Sequence, residues 1–314
     1  MPSGPSGSAA AGITRADETR RHDPWDLRHR VPAQSLLELL SGYVDTGQFH
    51  LDPNPRKAIV AADAHPWYLG AIGERAVAAE LSRLPSGWTV LHSVPVGRGS
   101  TDIDHVVIGP AGVFTVNTKH HSKTTAWVGD HAMFIGGTPV DYLRKSSAEA
   151  RRASELLSRA CGLTVPVTGV IALVGASRLT IKQRPNADFG VDVVTLERLR
   201  DRLQTRREFS DEQIDRIVQH AIRFDTWHTG APATVDITPA LEQFRHPTPL
   251  DPPSRITGST ITYEPVRPVR PARSTRRRGK GKRLLLGLLA SIGGVLAVFV
   301  GLEVLAQALT HLAP

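Results

Sequence analysis

The longest uninterrupted apolar run lies near the end of the chain, where Leu284–Leu302 reads LLLGLLASIGGVLAVFVGL, nineteen positions without a charged side chain. At ~1.5 Å rise per residue a helix of this length spans roughly 28 Å, close to the ~30 Å of bilayer hydrocarbon. It offers water no polar face, and its glycines are common in membrane spans. The run predicts one transmembrane helix over 284–303, followed by a short tail at 304–314. Upstream the apolar periods are shorter. A helix opens at His65-Pro66-Trp67 and runs to about Leu84, with Val77, Leu81 and Leu84 at helical spacing. Strand patterns follow at Trp88–Val96, Asp102–Ile108 and Val113–Lys119, the last two joined by Gly109-Pro110-Ala111-Gly112 as an antiparallel hairpin. A further hairpin is expected over Thr125–Val140, turning near Gly129-Asp130, then a long helix over Asp141–Cys161. Val165–Val174 and Val191–Thr195 read as buried strands, and helices over Leu196–Gln204 and Asp211–Trp227 close the domain.

This order predicts an α/β fold, a mixed sheet flanked by helices. The expected division is an N-terminal extension over 1–64, largely disordered with a short helix near Ala33–Val44; a domain over 65–228; and a Pro/Arg-rich linker over 229–283.

Charge changes the picture at one place. The chain is +8, with 38 Lys and Arg against 30 Asp and Glu. Nine of those bases and no acid lie between Arg267 and Arg283, which leaves the remainder at −1. The basicity therefore belongs to a juxtamembrane segment that favours an anionic leaflet. By the positive-inside rule the N-terminal bulk is expected to be cytoplasmic. The first thirty residues show no apolar signal-peptide core, so the anchor is expected to insert late, as a tail anchor does. The single cysteine, Cys161, excludes an internal disulfide and reads as packing.

Four positions suggest chemistry. Glu74, in Gly70-Ala71-Ile72-Gly73-Glu74, shares the inward stripe of its helix, and a carboxylate there needs a partner or a metal. Asp104 enters the first hairpin strand. Asn117 and Lys119, at i and i+2 on the second, project from one face. Such a grouping can hold a hard cation beside an activated water. Bland readings stand beside it: a Glu74–Lys119 ion pair, Asp104 as a local cap, and Lys119 as a solvated cation. His105, His120 and His121 lack zinc-ligand spacing. Gly97-Arg98-Gly99-Ser100 reads as a loop that could contact substrate, and Trp88 and Trp127 as core.

The blocks Gly-x-x-Gly-Glu (70–74), Asp-His-Val-Val-Ile-Gly-Pro-x-Gly-Val-Phe (104–114) and x-Thr-Lys (117–119) resemble the nuclease-related domain family, within the PD-(D/E)XK restriction-endonuclease-like superfamily. The resemblance covers roughly residues 65–205. It implies a restriction-endonuclease-like fold and a nuclease dependent on Mg²⁺, with Mn²⁺ as substitute. It implies Asp104 as the metal-binding acid, Lys119 as the residue that activates water and stabilises phosphorane charge, and Glu74 as the supplementary helix carboxylate. Position 117 would carry Glu or Asp in that pattern but is Asn117, which offers a neutral carbonyl where a hard anion is expected. The metal set implied is Asp104, Asn117 and Glu74, with Asp102 or Glu74 as candidates to replace the missing charge. Two functions follow: a membrane-held nuclease acting on nucleic acid, weakened by Asn117, or an inactive binding or scaffold module at the cytoplasmic face. A third reading places DNA binding in the basic segment. The sequence identifies no protein partner.

Overall fold

The computed structural model describes residues 23–52 and 58–245. The apolar run at 284–303, the basic segment at 267–283 and the linker beyond 245 lie outside the described residues. Among the described residues no helix is long and apolar enough to cross a membrane.

The fold is mixed α/β. Its main sheet has five strands: β3 (Thr89–Pro95), β4 (Asp102–Gly109), β5 (Gly112–His120), β9 (Val167–Val174) and β11 (Val191–Thr195), in the order β11-β9-β5-β4-β3. The first three form the expected antiparallel meander. The chain then crosses over through helix α3 (Tyr142–Cys161), so β9 and β11 add in parallel. The crossover also contributes three strands to a small four-stranded sheet. Its β6 (Thr125–Val128) pairs antiparallel with β7 (Met133–Ile135), which pairs in turn with β8 (Thr138–Val140). The strand β10 (Arg178–Ile181), which the sequence reading leaves out, closes it beside β6. Trp127 is 38% exposed on β6 against the edge of Phe134, so its expected place in the core is corrected.

Side-chain alternation along β5 sorts the packing. Val113 joins α3, α5 (Asp211–Ala221) and α6 (Phe224–Trp227) in a core around Leu157, Ile217 and Trp227. Phe114 and Val116 face the other way, onto Val77 and Leu81 of α2 (His65–Leu81) and Leu199 and Leu203 of α4 (Leu199–Leu203). A further core lies on the outer side of α2. There α1 (Gln34–Asp45), the strand pair β1 (Phe49–His50) and β2 (Ile59–Val60), and α7 (Thr238–Gln243) enclose Tyr68, Ala71 and Ile72. Phe49, Tyr68 and Phe244 meet at ring-centroid distances of 5.7 to 6.1 Å. Residues 238–243, read from sequence as the start of the linker, are thus a helix packed beside the N-terminal extension.

Glycine sets how closely the helices approach. A Cβ on Gly70 would stand 2.8 Å from Leu36, and one on Gly73 would stand 3.2 Å from Thr118 and His120. One glycine therefore admits α1 and the other seats α2 against β5. A Cβ on Gly169 would meet Ser146 Oγ at 2.7 Å, so β9 and the small-residue face of α3 also pack closely.

At the hairpin, a Cβ on Gly109 would fall 2.3 Å from two Trp88 ring atoms. Gly109→Ala is therefore expected to cost roughly 1–3 kcal/mol by overpacking. Gly42→Ala, in helical conformation with open space around it, should gain roughly 0.5–1 kcal/mol. Denaturant unfolding of both variants checks this, and equal effects would show that the Trp88 contact does not set the hairpin's packing.

Candidate functional site

The β4–β5 ladder runs from Gly109↔Gly112 to His105↔Val116 and stops. Beyond it β5 stays paired with β9 as far as His120↔Val174, while β4 stays paired with β3 as far as Pro95↔Asp102. The two central strands therefore part, and Asp104 and Asn117 line the opening. The Asp104 carboxylate fills the place of the missing backbone pair by accepting the Thr118 N–H at 2.6 Å. Opposite Asp104 on β3, Ser93 adopts a left-handed φ of 45°, a strained conformation for a non-glycine residue.

Alternation along β5 turns Asn117 and Lys119 toward α3 and Thr118 and His120 toward α2. The Asn117 amide donates to Glu149 Oε2 at 3.1 Å. Lys119 Nζ lies 5.3 Å from the centre of the Tyr142 ring, whose hydroxyl is 3.1 Å from His121 Nε2. Glu74 is buried on α2 and accepts the backbone N–H of Ala33. Glu149 is absent from the sequence-derived set, yet it lies on the α3 face that carries Ser146, Ala150 and Ala153. An acid on an inward stripe was the signal that singled out Glu74, and it applies equally here.

The charges are crowded. Burial, then the nearby Asp104 and Asp102 charges, push the Glu74 carboxyl well above its ordinary range, against Lys119 and the Ala33 N–H. Burial raises Asp104 to about 6, with Lys119 and the Thr118 donors opposing. Glu149 is pushed to about 8, first by burial and then by the Asp104 charge, against the Asn117 amide and Lys119. Asp102 is raised by burial but is engaged elsewhere, hydrogen-bonded to Ser35 and near Arg30. No ion pair joins Glu74 to Lys119 among the described residues.

Two oxygens stand out. Asn117 Oδ1 and Glu149 Oε1 are buried without a hydrogen-bond partner, a costly condition for polar atoms. With the carboxylates of Asp104 and Glu74 they make a donor set of hard oxygens, which suits Mg²⁺ or Mn²⁺. As the side chains stand, however, no group of three or more His, Cys, Asp or Glu among the described residues could hold a metal ion. The nearby histidines are used in pairs: His92 Nδ1 lies 2.9 Å from His105 Nδ1, and His105 Nε2 lies 3.5 Å from Thr118 Oγ1.

Comparison with known proteins finds one family profile across this region. The sequence profile of the nuclease-related domain matches residues 69–174, the stretch that supplies Glu74, Asp104, Asn117, Lys119 and Glu149. An uncharacterized protein of Bacillus anthracis is 39% identical over 97 residues, covering 30% of this chain and 44% of that protein. The match thus spans less than half of the relative's own length. No solved structure gives a significant match. Placement in the restriction-endonuclease-like superfamily is consistent with the profile match. Residues 69–174 of this chain thus match the nuclease-related domain family.

Proposed function

We propose that the strand fork is a divalent-cation-dependent phosphodiesterase site for nucleic acid, Mg²⁺ by preference, held at the cytoplasmic face of a membrane by the apolar run at 284–303. The observation that carries the chemistry is the Asn117–Glu149 contact, with one buried, unpartnered oxygen on each side chain. Glu149 supplies from α3 the negative charge that Asn117 lacks on β5. Asp104 is the strand carboxylate, fixed by the Thr118 N–H, and Glu74 is the helix carboxylate. Lys119, two residues beyond Asn117 on the same strand face, carries positive charge to the edge of the fork, where it would offset charge developing on a phosphorane. A bound cation would neutralise this carboxylate group and supply Lewis-acid activation of water. Asp104, Glu149, Glu74 and the Asn117 carbonyl are the residues that would hold it.

A second reading has its own support: Asn117 places a neutral amide where a hard anionic ligand would be expected. A binding module that uses the same fork without cleavage is consistent with that.

Cleavage of a labelled oligonucleotide by the detergent-solubilised full chain in Mn²⁺ separates the readings. The proposal predicts slow turnover, reduced at least a hundredfold by Asp104→Ala and by Glu149→Ala, and raised by Asn117→Glu. A parent and an Asn117→Glu variant that are both inert would leave the binding module as the account.

A second prediction follows from the raised carboxyls. In the unfolded chain Asp and Glu titrate near 3.8 and 4.5, whereas Asp104 and Glu149 in the fold titrate at about 6 and about 8. Between about pH 4 and pH 8 the folded state thus holds protons that the unfolded state has released, so stability must fall as pH rises through that window. In EDTA the Tm should drop from pH 5 to pH 8, Glu149→Gln should flatten the upper half of the drop, and Mg²⁺ should restore most at the alkaline end. A Tm that climbs across the window, unchanged by Glu149→Gln, would contradict the crowded-carboxylate picture.

A further inference from the structure

Away from the fork, a recess of about 670 Å³ opens between α3 and the α5–α6 segment. Its lining includes Leu156 and the buried Trp227 on the apolar side and Arg152, Arg159, Arg223 and His220 on the polar side. Arg223 is held by Asp225 through two hydrogen bonds. Arg152 and Arg159 are exposed and form no ion pair among the described residues. They lie seven residues apart, two turns of α3, so they stand on one face about 10 Å apart along the axis. Two guanidiniums without a carboxylate partner among the described residues thus give this one recess a local positive charge.

The recess adjoins the site through two elements. Arg152 follows Glu149 by three residues on α3, which places their Cβ atoms about 5–6 Å apart. The Gly97–Ser100 loop, which leads directly into Asp102 and Asp104, is pinned to the recess wall. Gly97 N–H donates to Trp227 O at 3.0 Å, and Thr229 N–H donates to Gly97 O at 3.1 Å. His228 Nε2–H donates to Gly99 O at 3.2 Å, while its Nδ1 accepts the Gly230 N–H at 2.9 Å. His228 Nε2 thereby holds the loop while Nδ1 fixes the ring against the Gly230 N–H, and the loop presents the exposed Arg98.

We propose that this recess, with Arg152 and Arg159 as its phosphate ligands and Arg98 at its mouth, seats the nucleic-acid backbone beside the fork. The assignment rests on the nucleic-acid reading of the fork and adds the place where the polymer is gripped. Guanidiniums suit it because their planar N–H fork matches phosphate oxygens and keeps its charge at every working pH. An apolar floor under the charges also fits a ribose-phosphate chain better than a free ion.

The test is binding of a fluorescein-labelled duplex oligonucleotide to the full chain in EDTA, so that neither cation nor cleavage enters the readout. Each phosphate contact contributes about 0.9 to the slope of log K against log salt concentration. Arg152→Ala with Arg159→Ala should weaken binding at least tenfold at 0.1 M salt and lower that slope by about 2. The corresponding Lys variants should retain most of the slope, which separates lost contacts from lost folding. Arg198→Ala, an exposed base outside the recess lining, should bind like the parent, and cleavage in Mn²⁺ is assayed separately, so a failure of cleavage and a failure of gripping are told apart. The comparison is repeated in a full chain carrying Arg276→Gln, Arg277→Gln and Arg278→Gln, so that the basic segment does not mask the recess. An unchanged slope in that background overturns the assignment. So does full displacement of the duplex by millimolar inorganic phosphate at constant ionic strength, which would make the recess a small-anion site.

Discussion

Asp104, Glu74 and Glu149 crowd around one lysine where two β-strands separate. Burial raises the pKa of each carboxyl, and the Asp104 charge raises those of Glu74 and Glu149 further. Such a group is unfavourable by itself, so the remaining structure must hold it in place. The β4–β5 fork does so on one side, because Asp104 completes the broken ladder at Thr118. The Ala33 N–H does so for Glu74, and the Asn117 amide does so for Glu149. Ser93 in its left-handed conformation opposite Asp104, and Ala33 at φ 63°, mark where the backbone is strained to make the arrangement.

Close approach of the helices is the second requirement. The Gly70-x-x-Gly73-Glu74 block works as packing as much as chemistry: one glycine admits α1, the other seats α2 on β5, and Glu74 is carried to the fork. On the other face Gly169 and the serines and alanines of α3 bring Glu149 within reach of Asn117. A larger side chain at any of these positions would separate the carboxylates before touching one of them. The segment Leu27–Asp45, outside the matched family region, also reaches the site through Ala33 and Ser35, which hold Glu74 and Asp102.

Periodicity made most of this legible. The meander, the long crossover helix and both parallel strands lie within a few residues of where apolar alternation and helical stripes place them. Glu74, Asp104, Asn117 and Lys119 do line one region. Glu149 was hidden because its partner is 32 residues away in sequence, and the contact depends on how α3 crosses the sheet. The strand β10 was hidden because Arg178–Ile181 is mostly exposed and alternates weakly, and its strand character comes from pairing with β6. The helix at 238–243 was hidden inside a proline-rich stretch, where its packing beside α1 overrides composition.

The claim that everything else leans on is that Glu149 supplies the charge absent at position 117. Calorimetric titration of Mn²⁺ into the full chain tests it with a single swap. Glu149→Gln should lose Mn²⁺ affinity by at least tenfold, and adding Asn117→Glu to that variant should restore it. A Glu149→Gln variant that binds Mn²⁺ as well as the parent would contradict the account.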